Sequence, residues 1–244
     1  MKLDNHRLNS IFAFILSLFA TGCAKSTNAV DPYEQTNRKI HNFNMAFDAT
    51  FLKPLAKGYV MLLPESVRVC INNAYNNVNM IPTTANDLLQ GELTMLPKDF
   101  WRFVLNSSFG IAGLFDVADK YFNLPPHSND LGVTFAKWGD KNSPYIVIPL
   151  LGPATIRDGM GALFEYTFLT PYPYIPNDIA LYTLLGVRYI DLRSQLFDTE
   201  KLMDESLDQY TFIRDIYLQR RSYQILGEGN KGTPFVVDGS DYID

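Results

Sequence analysis

The side chains that could do chemistry in this 244-residue chain are few and scattered. Of its three histidines, His6 lies at the extreme N-terminus, and His41 and His127 stand alone, without the short ligand spacings that hold a metal. A zinc site would need carboxylates brought from afar, so neither a metal nor any other cofactor is expected. The pairs Asp198 with Glu200 and Asp204 with Glu205 fall on polar helix faces or at helix starts, where solvation and N-terminal charge account for them. Asp158 follows Arg157 beside an apolar stretch and reads as a local ion pair. Cys70 has no histidine near it and reads as a small buried hydrophobe. No Gly-x-Ser-x-Gly elbow, His-Glu-x-x-His, Cys-x-x-Cys or phosphate-cradling glycine loop occurs. Enzymatic chemistry is therefore not expected.

Cys23 is the exception, and its chemistry is acylation. Lys2 and Arg7 make a basic start, weakened by Asp4, before the apolar run from Ile11 to Ala20. Ten such residues are too short to span a bilayer and read as the apolar part of a signal peptide. Ala20-Thr21-Gly22 then sets small residues directly before Cys23, a sequence similar to the lipobox cut by lipoprotein signal peptidase, although leucine is usual where Ala20 stands. Residues 1–22 are thus expected to be removed and Cys23 to carry lipid, with residues 23–30 as a small, polar tether. The alternative is ordinary secretory cleavage beside an incidental cysteine. With Cys23 acylated, Cys70 has no disulfide partner.

Removing residues 1–22, which carry a net +1, leaves a mature chain of −6, so nucleic acid is excluded as a partner. Charged residues make up 19%, while 47% are hydrophobic and 14% aromatic. So few charges cannot cover a globule of some 220 residues. Either the core is unusually aromatic or part of the outer surface faces lipid, and an acyl anchor favours lipid.

The elements that must place these residues read as helices. Asp31-Pro32 looks like an N-cap followed by proline at the first helical position, and Ile40, Phe43, Phe47 and Phe51 form a stripe to be buried against protein or lipid. Pro54 and Pro64 are expected to interrupt the chain. A helix should run from Glu65 to Asn79, with Asn72, Asn76 and Asn79 on one side as either a solvated face or the wet wall of an amphipathic channel. Gly91 closes the next segment, and Pro97 opens a helix whose Phe100, Trp101, Val104, Leu105 and Phe109 face a core or a membrane. Residues 109–122 read as helical. Tyr145 to Leu151 is apolar and contains Pro149, which argues for a hairpin loop rather than a central strand. Residues 155–168 and 177–197 return to helix, the latter with Leu181, Leu185, Tyr189, Leu192 and Leu196 opposite Arg188, Asp191, Gln195 and Asp198. A last helix spans 204–226 and ends in a mobile acidic tail, 227–244. The fold class is mainly α, with little or no β-sheet.

Several blocks resemble the MlaA (VacJ) family of outer-membrane lipoproteins: Asp31-Pro32-Tyr33-Glu34, Asn37-Arg38, Asn42-Phe43-Asn44, Pro82 to Asn86, Leu89-Gln90-Gly91, Gly110 to Ala118, Pro149 to Pro153 and Arg157-Asp158. They occur in series over residues 31–226. The resemblance implies a single-domain ring of amphipathic helices around a central channel in the inner leaflet of the outer membrane. It further implies removal of misplaced phospholipid from the outer leaflet, a trimeric outer-membrane porin and a soluble periplasmic lipid carrier as partners, and no catalysis. By the same resemblance Asn42, Phe43 and Asn44 would set the channel's default state. Tyr145, Ile146, Ile148, Leu150, Leu151 and Gly152 would form the hairpin beside its mouth, where Asn142 departs from the usual glycine. The alternatives are a porin-associated structural lipoprotein without transport activity, or a membrane-surface lipase, for which no nucleophile constellation is found.

Overall fold

The computed structural model describes residues 30–140 and 142–226. Cys23, the tether and the acidic tail lie outside the described residues. Helix α1 (Glu34–Phe47) starts two residues later than the Asp31-Pro32 signal suggests. Asp31 is wholly buried rather than capping: its carboxylate accepts hydrogen bonds from the Tyr210 hydroxyl at 2.5 Å and the Asn37 amide at 2.8 Å.

Pro54 does not break the chain. A wider π turn, Asp48–Leu52, carries α1 directly into α2 (Lys53–Leu62), with the Lys53 amide donating to the Asp48 carbonyl five residues back. The shift absorbs the missing N–H and the ring clash that proline imposes on a regular helix. Pro64 does divide α2 from α3 (Glu65–Gln90), which runs eleven residues beyond the sequence-based limit and through Pro82. Gly91, at φ 71, ends α3 with a left-handed residue, and the Glu92 amide returns to the Asp87 carbonyl. Helix α4 (Leu96–Ser108) then packs antiparallel along α3.

Residues 109–116 form a chain of turns, not a helix. Ile111, Ala112 and Gly113 all have positive φ, and an added Cβ at Gly113 would lie 2.5 Å from the Asn77 Cβ. Only α5 (Val117–Phe122) of that stretch is helical. After α6 (Leu131–Lys137), strands β1 (Tyr145–Ile148) and β2 (Gly152–Thr155) pair antiparallel, with Ile146 opposite Ala154. The apolar run is thus a true hairpin whose Pro149 sits in the turn, as the missing ladder donor requires. Helix α7 (Ile156–Phe164), capped by Thr155, continues into a second π turn, Glu165–Leu169. Helices α8 (Asp178–Ser194), α9 (Phe197–Asp204) and α10 (Gln209–Leu226) complete the described residues.

The compact apolar core is small: Tyr145, Val147 and Tyr210, with Ile40, Tyr217 and Leu218 against them. Several helices are turned inside out, although α6 buries Leu131, Val133 and Ala136 in the ordinary way. On α4 it is Asp99, Arg102 and Asn106, at spacings of three and four, that are buried, whereas Phe100, Trp101 and Phe109 are exposed, Phe109 by 71%. On α8 Asp191 and Ser194 are buried while Leu192 is exposed, and on α1 Phe43 and the following Phe51 point outward. The amphipathic periods are read correctly from the sequence, but the apolar stripes are not covered by protein. The reason is that the polar stripes meet one another. Arg102 pairs with Asp116 and the Leu124 carbonyl, and Asn106 bridges Asp116 and the Ala118 amide. Arg193 holds Asp48 at 2.6 Å and Glu200 at 3.0 Å. Buried polar groups are stable only when paired this way. Leaving so many large apolar side chains in water would cost on the order of 1.5–3 kcal/mol apiece, a cost that a lipid surround removes.

Candidate functional site

A cavity of about 270 Å³ opens between α3, α7 and the segment before α6. Helix α3 supplies Asn79, Pro82 and Thr83, the segment before α6 supplies Ser128, Asn129 and Asp130, and α7 with its π turn supplies Ala162, Glu165 and Tyr166. Thr170, Tyr172 and Leu185 close the ring of wall residues. The wall is amphipathic, combining amides, hydroxyls and carboxylates with tyrosine rings and a leucine.

The polar wall is braced from behind. Asn86, wholly buried, donates to Glu165 at 2.6 Å and accepts from Thr134 at 2.7 Å. Asp130 caps α6 through the Val133 amide and pairs with Arg221 of α10, which also reaches Asp158 at 2.6 Å. The Tyr217 hydroxyl donates to the other Asp158 oxygen at 2.6 Å. Asp158 is thus far more than the partner of its neighbour Arg157: burial would raise its pKa, but Arg221 and Tyr217 outweigh it and hold the carboxyl below its usual range. Helices α6 and α7 meet without room to spare, since a Cβ on Gly161 would lie 2.7 Å from the Gly132 nitrogen.

Glu165 is the unusual wall residue. Burial pushes its carboxyl up to about 7, with Asp130 adding to the rise and the Leu131 amide, Asn86 and Arg221 opposing it. A carboxyl raised in the folded state holds a proton that the unfolded chain releases above about 4.5, so folding is favoured at the acid end and loses that contribution as pH climbs from about 4.5 to about 7. Burial raises Asp87 in the same direction, to about 6. Thermal unfolding followed by circular dichroism should therefore show the wild type losing stability from pH 5 to pH 7 more steeply than Glu165→Gln.

The three asparagines of the sequence stripe divide. Asn79 lines the cavity, but Asn72 and Asn76 accept hydrogen bonds from Arg188 at 2.8 and 3.0 Å. That guanidinium also stands over the Tyr75 ring and 3.6 Å from Asp191. The stripe is neither a solvated face nor a bare wall at those two positions; it seats a cation.

The hairpin lies elsewhere. None of its residues lines the cavity; β1 instead lies against α1. The Asn37 amide bonds the Tyr145 carbonyl and the Val147 amide, at 3.2 and 2.9 Å. One turn-pair further along, Asn44 bonds the Ile148 carbonyl at 3.0 Å and the Leu150 amide at 2.7 Å. Together with the Val30 carbonyl, which accepts from the Tyr145 amide at 3.1 Å, two side-chain amides thus take the place of a neighbouring strand. Tyr145 is buried in the small core, Ile146 and Ile148 approach Gly159 of α7, and Leu150, with φ 65, and Leu151 are exposed at the tip before Gly152. Of the Asn42-Phe43-Asn44 triplet only Asn44 reaches the hairpin; Asn42 is exposed and makes no hydrogen bond with the described residues, and Phe43 is 55% exposed. Asn44→Ala should cost about 1–2 kcal/mol at the hairpin and speed amide exchange over residues 146–151 roughly tenfold, while Asn42→Ala leaves exchange unchanged. Mass-spectrometric hydrogen exchange checks this.

Sequence reasoning missed Asn37, Asn86, Glu165 and Arg221 as parts of these assemblies. Asn37 and Asn44, seven residues apart, share a helix face, which was the one legible sign of a polar edge. Cys70 is half-buried, beside a second, shallower hollow between the start of α3 and residues 114–116. No helix among the described residues is long and apolar enough to cross a membrane.

Comparisons place this geometry. The MlaA lipoprotein family matches residues 29–224. An uncharacterized protein of Rickettsia bellii is 36% identical over 196 residues, covering 80% of this chain and 76% of its own. The intermembrane phospholipid transport system lipoprotein MlaA of Escherichia coli is 31% identical, covering 83% of this chain and 82% of its own. A solved structure reported as "Structural basis for maintenance of bacterial outer membrane lipid asymmetry" superposes with a TM-score of 0.71 at 29% identity, over 80% of this chain and 98% of that one.

Proposed function

The chain belongs to the MlaA lipoprotein family, and on that premise we propose that it takes phospholipid out of the outer leaflet of the outer membrane and passes it to a soluble periplasmic carrier. The observation that carries this reading is the inversion of several of its helices, with apolar side chains outward and paired polar side chains inward, together with an amphipathic cavity. A phospholipid must keep its charged headgroup solvated or hydrogen-bonded while its tails stay among apolar groups. At about 270 Å³ the cavity is of headgroup size, and its tyrosine rings and Leu185 offer apolar contact beside the polar groups.

The placement follows from the same surface. Exposed Phe43, Phe51, Phe100, Trp101 and Phe109 suit a protein lying within one leaflet, held there by lipid on Cys23. We take that leaflet to be the inner one, which leaves part of the apolar belt free for a trimeric porin. We take transport to be passive binding and release rather than catalysis.

A strain lacking the chain should expose more phospholipid to phospholipase added outside the cells, and a plasmid copy should reverse this. Unchanged exposure in the deletion strain would contradict the proposal. Purified protein that co-isolates with a porin yet transfers no labelled phospholipid to the periplasmic carrier would instead point to a structural lipoprotein.

A further inference from the structure

We infer that Asp87, Asp99 and His127 form a binding site for one divalent cation of the zinc class. The three residues come from the end of α3, the start of α4 and the segment after α5, and one donor atom of each lies within 4.8 Å of the others. His127 Nδ1 stands 2.5 Å from the Asp99 Oδ2.

Two observations separate this cluster from an ordinary buried ion pair. The charges do not balance locally: two carboxylates, 0% and 2% exposed, face a single imidazole. One oxygen is also unsatisfied. Asp87 Oδ1 accepts from the Asn129 amide at 2.9 Å, but its buried Oδ2 has no hydrogen-bond partner. A carboxylate oxygen out of water and without a donor is costly, and the cost disappears if a cation takes the place of the donor.

The donor set selects the ion class. One imidazole nitrogen with two carboxylate oxygens suits Zn²⁺ or its neighbours better than Mg²⁺ or Ca²⁺, which take oxygen alone. Zinc bonds of about 2.0–2.2 Å put tetrahedral ligand atoms about 3.3 Å apart, with water in the fourth place. The cluster reaches that spacing if His127 and Asp99 part by under about 1 Å and Asp87 draws in. The ion would join three segments already linked by the Asp99–His127 and Asn129–Asp87 hydrogen bonds. Asn129 is itself a wall residue of the cavity, so the cation would stiffen that wall.

The test uses the full chain purified in detergent and stripped with a chelator. Reloading with Zn²⁺ and measuring metal by mass spectrometry should give one ion per chain, with the melting temperature raised about 5–10 °C at a hundredfold excess over Kd. His127→Ala and Asp99→Asn should weaken uptake at least about 100-fold, and Asp119→Asn, on the surface, should not. Because those variants can misfold, Co²⁺ is added to the wild type as well, where visible absorption of a nitrogen- and oxygen-ligated tetrahedral ion is expected. A stripped wild type that takes up neither Zn²⁺ nor Co²⁺ overturns the inference, as does uptake that persists in a folded His127→Ala.

Discussion

Replacing Arg221 with methionine should lower the melting temperature by on the order of 10 °C, whereas Arg220→Met, one residue away on the exposed face of α10, should leave it within about 1–2 °C. Arg221 is 9% exposed and divides its guanidinium between Asp130 and Asp158, at 2.5 and 2.6 Å. Through these two carboxylates α10 is tied to the cap of α6 and the first turn of α7. Methionine keeps most of the volume and removes the charge. What remains is Asp130 and Asp158 facing each other, with Arg157 as the one cation and the Tyr217 hydroxyl as a neutral donor left for the second. Removing one partner of a buried pair costs about 3–5 kcal/mol because the other charge stays buried. The pH dependence identifies the cause. Asp158 is held below its usual pKa, so the stability Arg221 lends it is present near neutrality and lost as pH falls through the carboxylate range. The penalty of Arg221→Met should therefore shrink below about pH 4, where the stranded carboxylates take up protons. A pure packing defect would be independent of pH.

Ala162→Trp should cut phospholipid transfer at least about tenfold while leaving circular dichroism and melting nearly unchanged. Ala162 lies on the cavity side of α7 and is exposed there, so the indole can extend into the hollow without displacing core atoms. A cavity of about 270 Å³ that accepts a ring of that size has little room for a headgroup. Leu163→Trp, one position round the same helix and on the outward side, is the control and should transfer normally. Transfer from labelled vesicles to the periplasmic carrier reads both.

The helical class, the hairpin and most helix ends are legible in the residues themselves. Asn177 and Thr155 cap α8 and α7 as their types suggest, and Gly91 ends α3. Where the reading fails, a distant contact has overruled a local signal. Asp31 has the residue type of an N-cap but is drawn into the Tyr210 hydroxyl, far along the chain. Pro54 has the residue type of a breaker but is carried by a π turn, with Asp48 anchored by Arg193. Helix α6 has no apolar period to announce it; its one sign is Asp130 at the cap.

The largest gap concerns which face points inward. Periodicity finds a stripe of Phe100, Trp101 and Phe109 opposite Asp99, Arg102 and Asn106, but in water one side alone would be buried. Low overall charge and an acyl anchor hint at the opposite choice, and the structure takes it. The cavity wall is harder still. Asn79, Asn129 and Glu165 come from three separate segments with no spacing in common, and their meeting follows from helix packing that no local pattern encodes.

The central claim is that phospholipid enters the polar interior, and a photoreactive phenylalanine analogue placed at Asn79 tests it most directly. Expressed in cells with radiolabelled phospholipid, the Asn79 variant should cross-link to lipid on illumination, although it sits on a polar wall away from the apolar belt. The same analogue at Phe109 should also cross-link, through contact with the bilayer. Cross-linking at Phe109 with none at Asn79, in a variant that still complements the deletion strain, would show that phospholipid passes over the outside of the protein and would contradict a route through its interior.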